Sequence, residues 1–264
     1  MERARVYEGF AQLPNVRLWY WDTGGQGEPV ILLHPASQSC QIWEHQRDKF
    51  REAGYRVIAY ARRGYFKSEV GNSAGTSSSV GDLISLLDYL TIDQAHILGA
   101  AAGGITALGF AAGHQERVLS LVLAGTIFQP DEPSWKEFFG RLGIADIRGR
   151  VPMEFLGLGP SYRLTNPAGE TRFSELSREA LSGNPPMQAV GIKVTWEQIE
   201  QLSIPVLLLT GEADLFAPPP LQRMMANHIR NHRLATLPEV GHAPYWEAPD
   251  VFNKTVLEFL GSPT

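Results

Sequence analysis

Short apolar runs recur along the chain at intervals that leave room for a helix between them: Val30-Ile31-Leu32-Leu33, Val57-Ile58-Ala59-Tyr60, Ala95-His96-Ile97-Leu98, Leu119-Ser120-Leu121-Val122-Leu123 and Val206-Leu207-Leu208-Leu209. They are too short and too continuous for amphipathic helices, and their pattern is that of strands buried on both faces. Helical patterns lie between and around them, near residues 41–53, 79–90, 102–113, 219–229 and 249–260. Strand and helix in alternation predict an α/β fold with a mostly parallel sheet covered by helices. Before the first run, Arg17-Leu18-Trp19-Tyr20-Trp21 alternates weakly and predicts antiparallel edge strands closed by a turn at Gly24-Gly25.

The alternation stops between about 130 and 197. That stretch carries Pro130, Pro133, Pro152, Pro160, Pro167, Pro185 and Pro186, with helical pieces such as Trp135-Lys136-Glu137-Phe138-Phe139 between them. An insertion of this kind after a core strand reads as a helical cap (130–197) on a core formed by 1–129 and 198–264. Such a cap covers the carboxyl ends of the strands, where open α/β folds bind ligands. Gly71 to Ser79 reads as a polar loop, and no internal repeat is visible.

Composition narrows the functional classes. The chain of 264 residues carries a net charge of −5 with both signs interspersed, and no dense basic block marks a nucleic-acid or anionic-lipid surface. Cys40 is the single cysteine, which excludes an intrachain disulfide and a thiolate metal site. His45, His96, His114, His228 and His232 show no metal-binding spacing, so no metal or organic cofactor is expected. His228 and His232 read as solvated positions in or beyond a surface helix. The first residues lack the apolar core of a signal peptide and no run is long enough to span a membrane, so the expected location is cytoplasmic. The sequence sets no oligomeric state, and a homodimer is compatible with it.

The chemistry centres on Gly99-Ala100-Ala101-Ala102-Gly103, which follows an apolar run and opens an alanine-rich helix. It has the outline of a G-x-S-x-G nucleophile elbow with alanine in place of the serine. A methyl group cannot attack a carbonyl. The same glycines have neither dinucleotide-fingerprint nor P-loop spacing. Further landmarks accompany the elbow in order: His34-Pro35-Ala36, Tyr60-Ala61-Arg62-Arg63-Gly64-Tyr65-Phe66-Lys67-Ser68, Gly211-Glu212-Ala213-Asp214 and Gly241-His242-Ala243-Pro244. Together they resemble the α/β-hydrolase superfamily over nearly the whole chain.

That resemblance implies specific roles. Asp214 and His242 take the places of the acid and the histidine, a dyad in which the carboxylate orients the imidazole and the free ring nitrogen removes a proton. The N–H groups of Ala36 and Ala102 take the places of the oxyanion-hole donors, and Ala101 stands at the nucleophile position. Thr126 stands near the alternative place for the acid, which leaves Asp214 the better candidate. Ser37 follows the oxyanion loop and is a candidate to hydrogen-bond substrate, and Trp43 is a candidate pocket wall that equally suits a helix core. Tyr245 and Trp246 suit either an aromatic floor or core packing. His34 is read as packing under its loop. Where the family often has Asp, this chain has Ala61, and Arg62, Arg63 and Lys67 beside it suit an internal salt-bridge network or anion recognition.

Three readings remain open. The first is an enzyme on a small, largely apolar carbonyl substrate, of hydrolase or lyase type, in which the dyad activates water or abstracts a proton without a serine. The second is a serine esterase or lactonase inactivated at residue 101, and the third is a non-catalytic small-molecule binding protein.

Overall fold

The computed structural model describes residues 6–71, 78–128, 137, 139–147, 149–181 and 188–262. Its centre is an eight-stranded sheet in the order β1-β2-β4-β3-β5-β6-β7-β8. The strands are β1 (Tyr7–Leu13), β2 (Val16–Asp22), β3 (Pro29–Leu33), β4 (Arg56–Tyr60), β5 (Ala95–Ala100), β6 (Val118–Ala124), β7 (Val206–Gly211) and β8 (His232–Leu237). β1 pairs with β2 and β2 with β4 antiparallel, and every other pairing is parallel. The five apolar runs are the five central strands. β5 and β7 are buried at every residue, as strands covered on both faces must be.

Two apolar layers flank the sheet. One unites Leu86, Leu108 and Phe110 with the sheet side chains Ile31, Ile97 and Leu121. The other unites Trp43, Phe50, Phe252 and Val256 with Leu32, Leu98 and Leu207 on the opposite face. The alternation of strand side chains between the two clusters is the period-2 consequence of the pleat. The covering helices are α1 (Glu44–Glu52), α2 (Ser79–Tyr89), α3 (Ala102–Gly113), α9 (Pro219–Ala226) and α11 (Pro249–Leu260), the last preceded by the short α10 (Pro244–Glu247). Between β6 and β7 lie the described helices α4 (Ile144–Ile147), α5 (Met153–Gly157), α6 (Pro160–Thr165), α7 (Pro167–Ala180) and α8 (Trp196–Glu200). No helix among the described residues is long and apolar enough to cross a membrane.

The structure corrects two details at the edges of the sheet. The turn that closes the amino-terminal hairpin is Pro14-Asn15, since Leu13 pairs with Val16. Gly24 and Gly25, at φ 63° and 106°, instead turn the chain out of β2 toward β3, and β2 is an inner strand between β1 and β4. His232, exposed and beyond the helix Pro219–Ala226, opens β8, an edge strand whose residues are mostly exposed. Its polar sequence hides the strand because only one side of it is covered. Of the helical piece expected at 135–139, residues 137 and 139 are described and are helical; the rest of it and most of the 71–79 loop lie outside the described residues, as do Pro130, Pro133, Pro185 and Pro186.

Candidate active site

The site begins at the end of β5. Ala101 occupies the turn into α3 with φ 47° and ψ −114°, a region that alanine enters only at a cost of about 1–3 kcal/mol. The Ala101 N–H donates to Ala124 O at 2.9 Å, and the Thr126 hydroxyl lies 3.4 Å from Ala101 O, so the β6 end grips the turn on both sides. The flanking glycines are required by close approach. A Cβ on Gly103 would sit 2.1 Å from Leu33 O, and one on Gly104 1.9 Å from Thr126 Oγ1. The strained elbow is therefore built in full around a residue that carries no reactive atom.

No side chain caps α3. Among the described residues the Ala102 N–H makes no hydrogen bond, and neither does that of Ala36 in the loop after β3. Free donors at a helix start attract negative charge. Ala36, Ser37, Ala101 and Ala102 are all partly exposed. Below them His34 is fully buried. Its Nδ1–H donates to Pro35 O at 2.8 Å and its Nε2 accepts from the Arg62 N–H at 3.0 Å. Burial, reinforced by the Arg62 charge, holds its pKa well below the ordinary histidine value, so it stands neutral beneath the loop.

The acid and the histidine come from the loops after β7 and β8. His242 Nδ1 donates to Asp214 at 2.9 Å (Oδ2) and 3.0 Å (Oδ1), which leaves Nε2 as the basic nitrogen, with no partner among the described residues. The Asp214 carboxylate also accepts from the N–H groups of Phe216 and Ala217, both at 2.8 Å, and from the Thr210 hydroxyl at 3.3 Å. Four donors satisfy a side chain that is completely buried, while His242 keeps 14% of its side chain exposed. The carboxylate is thus fixed and the ring is reachable. Phe216 lies against the imidazole, with ring centroids 4.6 Å apart. The loops meet because Gly211 has no side chain: a Cβ there would fall 2.1 Å from Val240 O.

The helices between β6 and β7 are tied to these same loops. Gly157 O accepts from the His242 N–H at 3.1 Å, and Gln38 Nε2 donates to Ser177 Oγ at 2.6 Å. Phe66 N–H donates to Ala180 O, also at 2.6 Å. Glu247, which the sequence reading passed over, is the knot between the two sides. Its carboxylate accepts from Gly159 at 2.8 Å, from Gly241 at 3.0 Å and from Ala243 at 3.3 Å, on both sides of His242. An acidic residue beside the apolar Tyr245-Trp246 pair was the available signal.

Burial outweighs those backbone donors and pushes the Glu247 carboxyl up from 4.5 to about 7. A raised native pKa means that the folded chain holds a proton the unfolded chain has released. The stability from this group is complete below about pH 4.5 and is lost as the pH rises through about 7. Thermal melts between about pH 5 and 8 check this. The parent's Tm is expected to fall more steeply with pH than that of Glu247→Gln, and equal slopes would refute the assignment.

The remaining candidates separate by burial. Trp43 is fully buried against Tyr245, with ring centroids 4.9 Å apart, the setting of a core side chain. Tyr245 and Trp246 are buried in the same cluster. Arg63 forms a buried ion pair with Asp82 at 2.7 and 2.8 Å, and Lys67 lies 4.0 Å over the Trp19 ring. Arg62 is different, because no acidic side chain among the described residues pairs with it.

The alpha/beta hydrolase family model matches residues 30–255, which take in the strands from β3 to β8 and the loops that carry Asp214 and His242. The chain belongs to the alpha/beta hydrolase family. Among its curated relatives is a 2-hydroxy-6-oxononadienedioate/2-hydroxy-6-oxononatrienedioate hydrolase of Burkholderia vietnamiensis, 29% identical over 93% of this chain and 91% of the relative. The fold is shared with the enol-lactonase from Burkholderia xenovorans, at TM-score 0.75 and 22% identity over 96% of this chain and 100% of that one. It is also shared with a serine-to-alanine mutant of a meta-cleavage product hydrolase from Pseudomonas fluorescens, complexed with acetates. That match has TM-score 0.71 and 24% identity over 95% and 96% of the two chains. As a member of this family the protein is an enzyme of the hydrolase type.

Proposed function

We propose that this alpha/beta hydrolase acts without a cofactor and without a nucleophilic side chain on a small, largely apolar substrate containing a carbonyl group. The observation that carries the reading is the combination at Ala101. A strained elbow is retained around a methyl group, while His242 Nε2 and the N–H groups of Ala36 and Ala102 have no partners among the described residues. The unused groups are a base and two oxyanion donors, which is the set required for direct hydration of a carbonyl.

In this mechanism His242 Nε2 takes a proton from water as the water oxygen adds to the carbonyl carbon. The resulting oxyanion accepts from Ala36 and Ala102, and Asp214 stabilises the imidazolium without taking its proton. Collapse breaks the bond to the leaving group, which receives the proton from His242. In this reading Ser37 hydrogen-bonds the substrate, and the volume a serine hydroxymethyl would fill at 101 holds the water. The helices between β6 and β7 serve as the cover. Relatives named for oxo-dienedioate hydrolysis favour a ketone whose carbon–carbon bond is cut, and the lactonase and esterase neighbours favour an ester carbonyl.

The test is a panel of β-diketones, lactones and aryl esters incubated with the parent chain and read by mass spectrometry. Turnover of a panel member with no covalent adduct in the intact-protein mass spectrum is the expected result. An acylated protein would refute the direct mechanism. A second reading, a serine hydrolase inactivated at residue 101, is favoured by the φ of 47° at Ala101, a strain that serves a nucleophile and does nothing for a methyl group.

A further inference from the structure

Two carbonyls of the loop after β3 are held by side chains of the loop after β4. Pro35 O accepts from His34 Nδ1–H at 2.8 Å, from the Arg62 guanidinium (Nη2) at 3.1 Å and from the Gln38 N–H at 3.3 Å. Ala36 O accepts from the Tyr65 hydroxyl at 2.9 Å. The Arg62 guanidinium stacks over the Tyr65 ring at 4.8 Å, and that ring in turn lies 4.8 Å from the His34 ring. Arginine stays charged in such a setting. With no carboxylate beside it among the described residues, its charge is directed at the Pro35 carbonyl.

Pro35 C=O and Ala36 N–H belong to one planar peptide unit, so a donor that fixes the carbonyl also fixes the direction of the N–H. Drawing electron density toward a carbonyl oxygen makes the N–H of the same amide a stronger donor. Three donors, one of them cationic, converge on this oxygen, while the N–H across the unit has no partner among the described residues. A backbone carbonyl has two lone pairs, so the arrangement exceeds ordinary satisfaction.

We infer that Arg62 is a positioning residue that aims and polarises the Ala36 N–H as a donor to a developing oxyanion. The inference rests on the proposed role of Ala36 and Ala102 as the oxyanion hole. Arg62 acts through the peptide and does not itself touch the reacting atoms. The consequence is selectivity for substrates whose transition state gathers negative charge on one oxygen, an enolate or a tetrahedral alkoxide.

The test uses the 15N-labelled full chain titrated with sodium acetate as a small oxyanion probe. In the parent, the Ala36 and Ala102 amide protons are expected to move downfield together with one Kd. In Arg62→Met the Kd weakens about tenfold, the scale of the added worth of a charge-assisted hydrogen bond. The Ala36 displacement shrinks in that variant while Ala102 keeps its own. Arg62→Lys, which keeps the charge and loses the planar fork, recovers part of the affinity. If Arg62→Met does not fold, Arg62→Lys carries the test alone, and parent-like affinity with a parent-like Ala36 shift overturns the inference. An unchanged Kd in Arg62→Met also overturns it. So does an Arg62 Nε resonance that follows acetate while Ala36 stays still, because that marks direct anion binding. Two silent amides in the parent would instead refute the oxyanion reading itself, and this inference would fall with it.

Discussion

Replacing His242 with alanine is expected to lower turnover by about 10²–10⁴-fold while substrate binding is largely kept. The imidazole presents Nε2 as a base only because Nδ1–H is held by Asp214 at 2.9 Å, and nothing else in the dyad loops offers a nitrogen base. With proton transfer as its role, the loss is expected to fall on kcat and not on KM. Asp214→Asn is expected to be comparably damaging for a reason the geometry makes specific. Asp214 is buried with every neighbour a donor: Phe216 N–H, Ala217 N–H, the Thr210 hydroxyl and His242. An asparagine amide turns one of those contacts into a clash of donors or drives the ring to the wrong tautomer, and it cannot stabilise the imidazolium. Single-turnover kinetics and an equilibrium binding measurement on the best panel substrate separate the two effects. A His242→Ala protein that keeps the parent rate would show that the dyad is scaffold here.

Ala101→Ser discriminates the enzyme readings more sharply than any other substitution. The φ of 47° at residue 101 lifts its side chain from the elbow, and the proposed oxyanion donors, the N–H groups of Ala36 and Ala102, are backbone groups that the substitution does not remove. If direct water attack is the native chemistry, the added oxygen occupies the place of the water, and turnover of the native substrate is expected to fall with no burst from an activated aryl ester. The measurement is stopped-flow release of an aryl alcohol under enzyme excess and substrate excess, with intact-protein mass as the monitor of acylation. A stoichiometric burst, followed by turnover present only in the serine form, would overturn the direct mechanism. It would identify the chain as a nucleophilic hydrolase disarmed at one atom, because covalent acyl transfer needs an oxygen nucleophile.

The residues of the site were legible where local rules and short-range spacing carry them. The five apolar runs announce buried parallel strands because a strand covered on both faces has no polar positions to show. The glycines of the elbow announce a turn in which backbones touch, and the alanine at its centre announces that the reactive atom is missing. His34, Asp214 and His242 follow from the family resemblance that the landmarks carry when taken together in order. Strand β8 was not legible, since an edge strand with exposed residues has the composition of a surface loop. The hairpin turn was misplaced because two glycines make a stronger local signal than Pro14-Asn15, and only the pairing of Leu13 with Val16 decides between them.

What the sequence determined by itself is therefore the layered α/β architecture, read from the alternation of strand and helix patterns, and the elbow, while Asp214 and His242 came with the family resemblance that the ordered landmarks carry together. The tertiary structure alone decided how similar side chains divide the work. Arg62 and Arg63 are adjacent and chemically identical, yet one lies in a buried pair with Asp82 and the other points at the Pro35 carbonyl. Glu247 becomes the tie between the His242 loop and Gly159 only when residues 88 positions apart are brought within 2.8 Å. Charge and hydrogen-bond capacity are written in the residue type, but their partners are assigned by contacts between distant segments, and no local spacing encodes those.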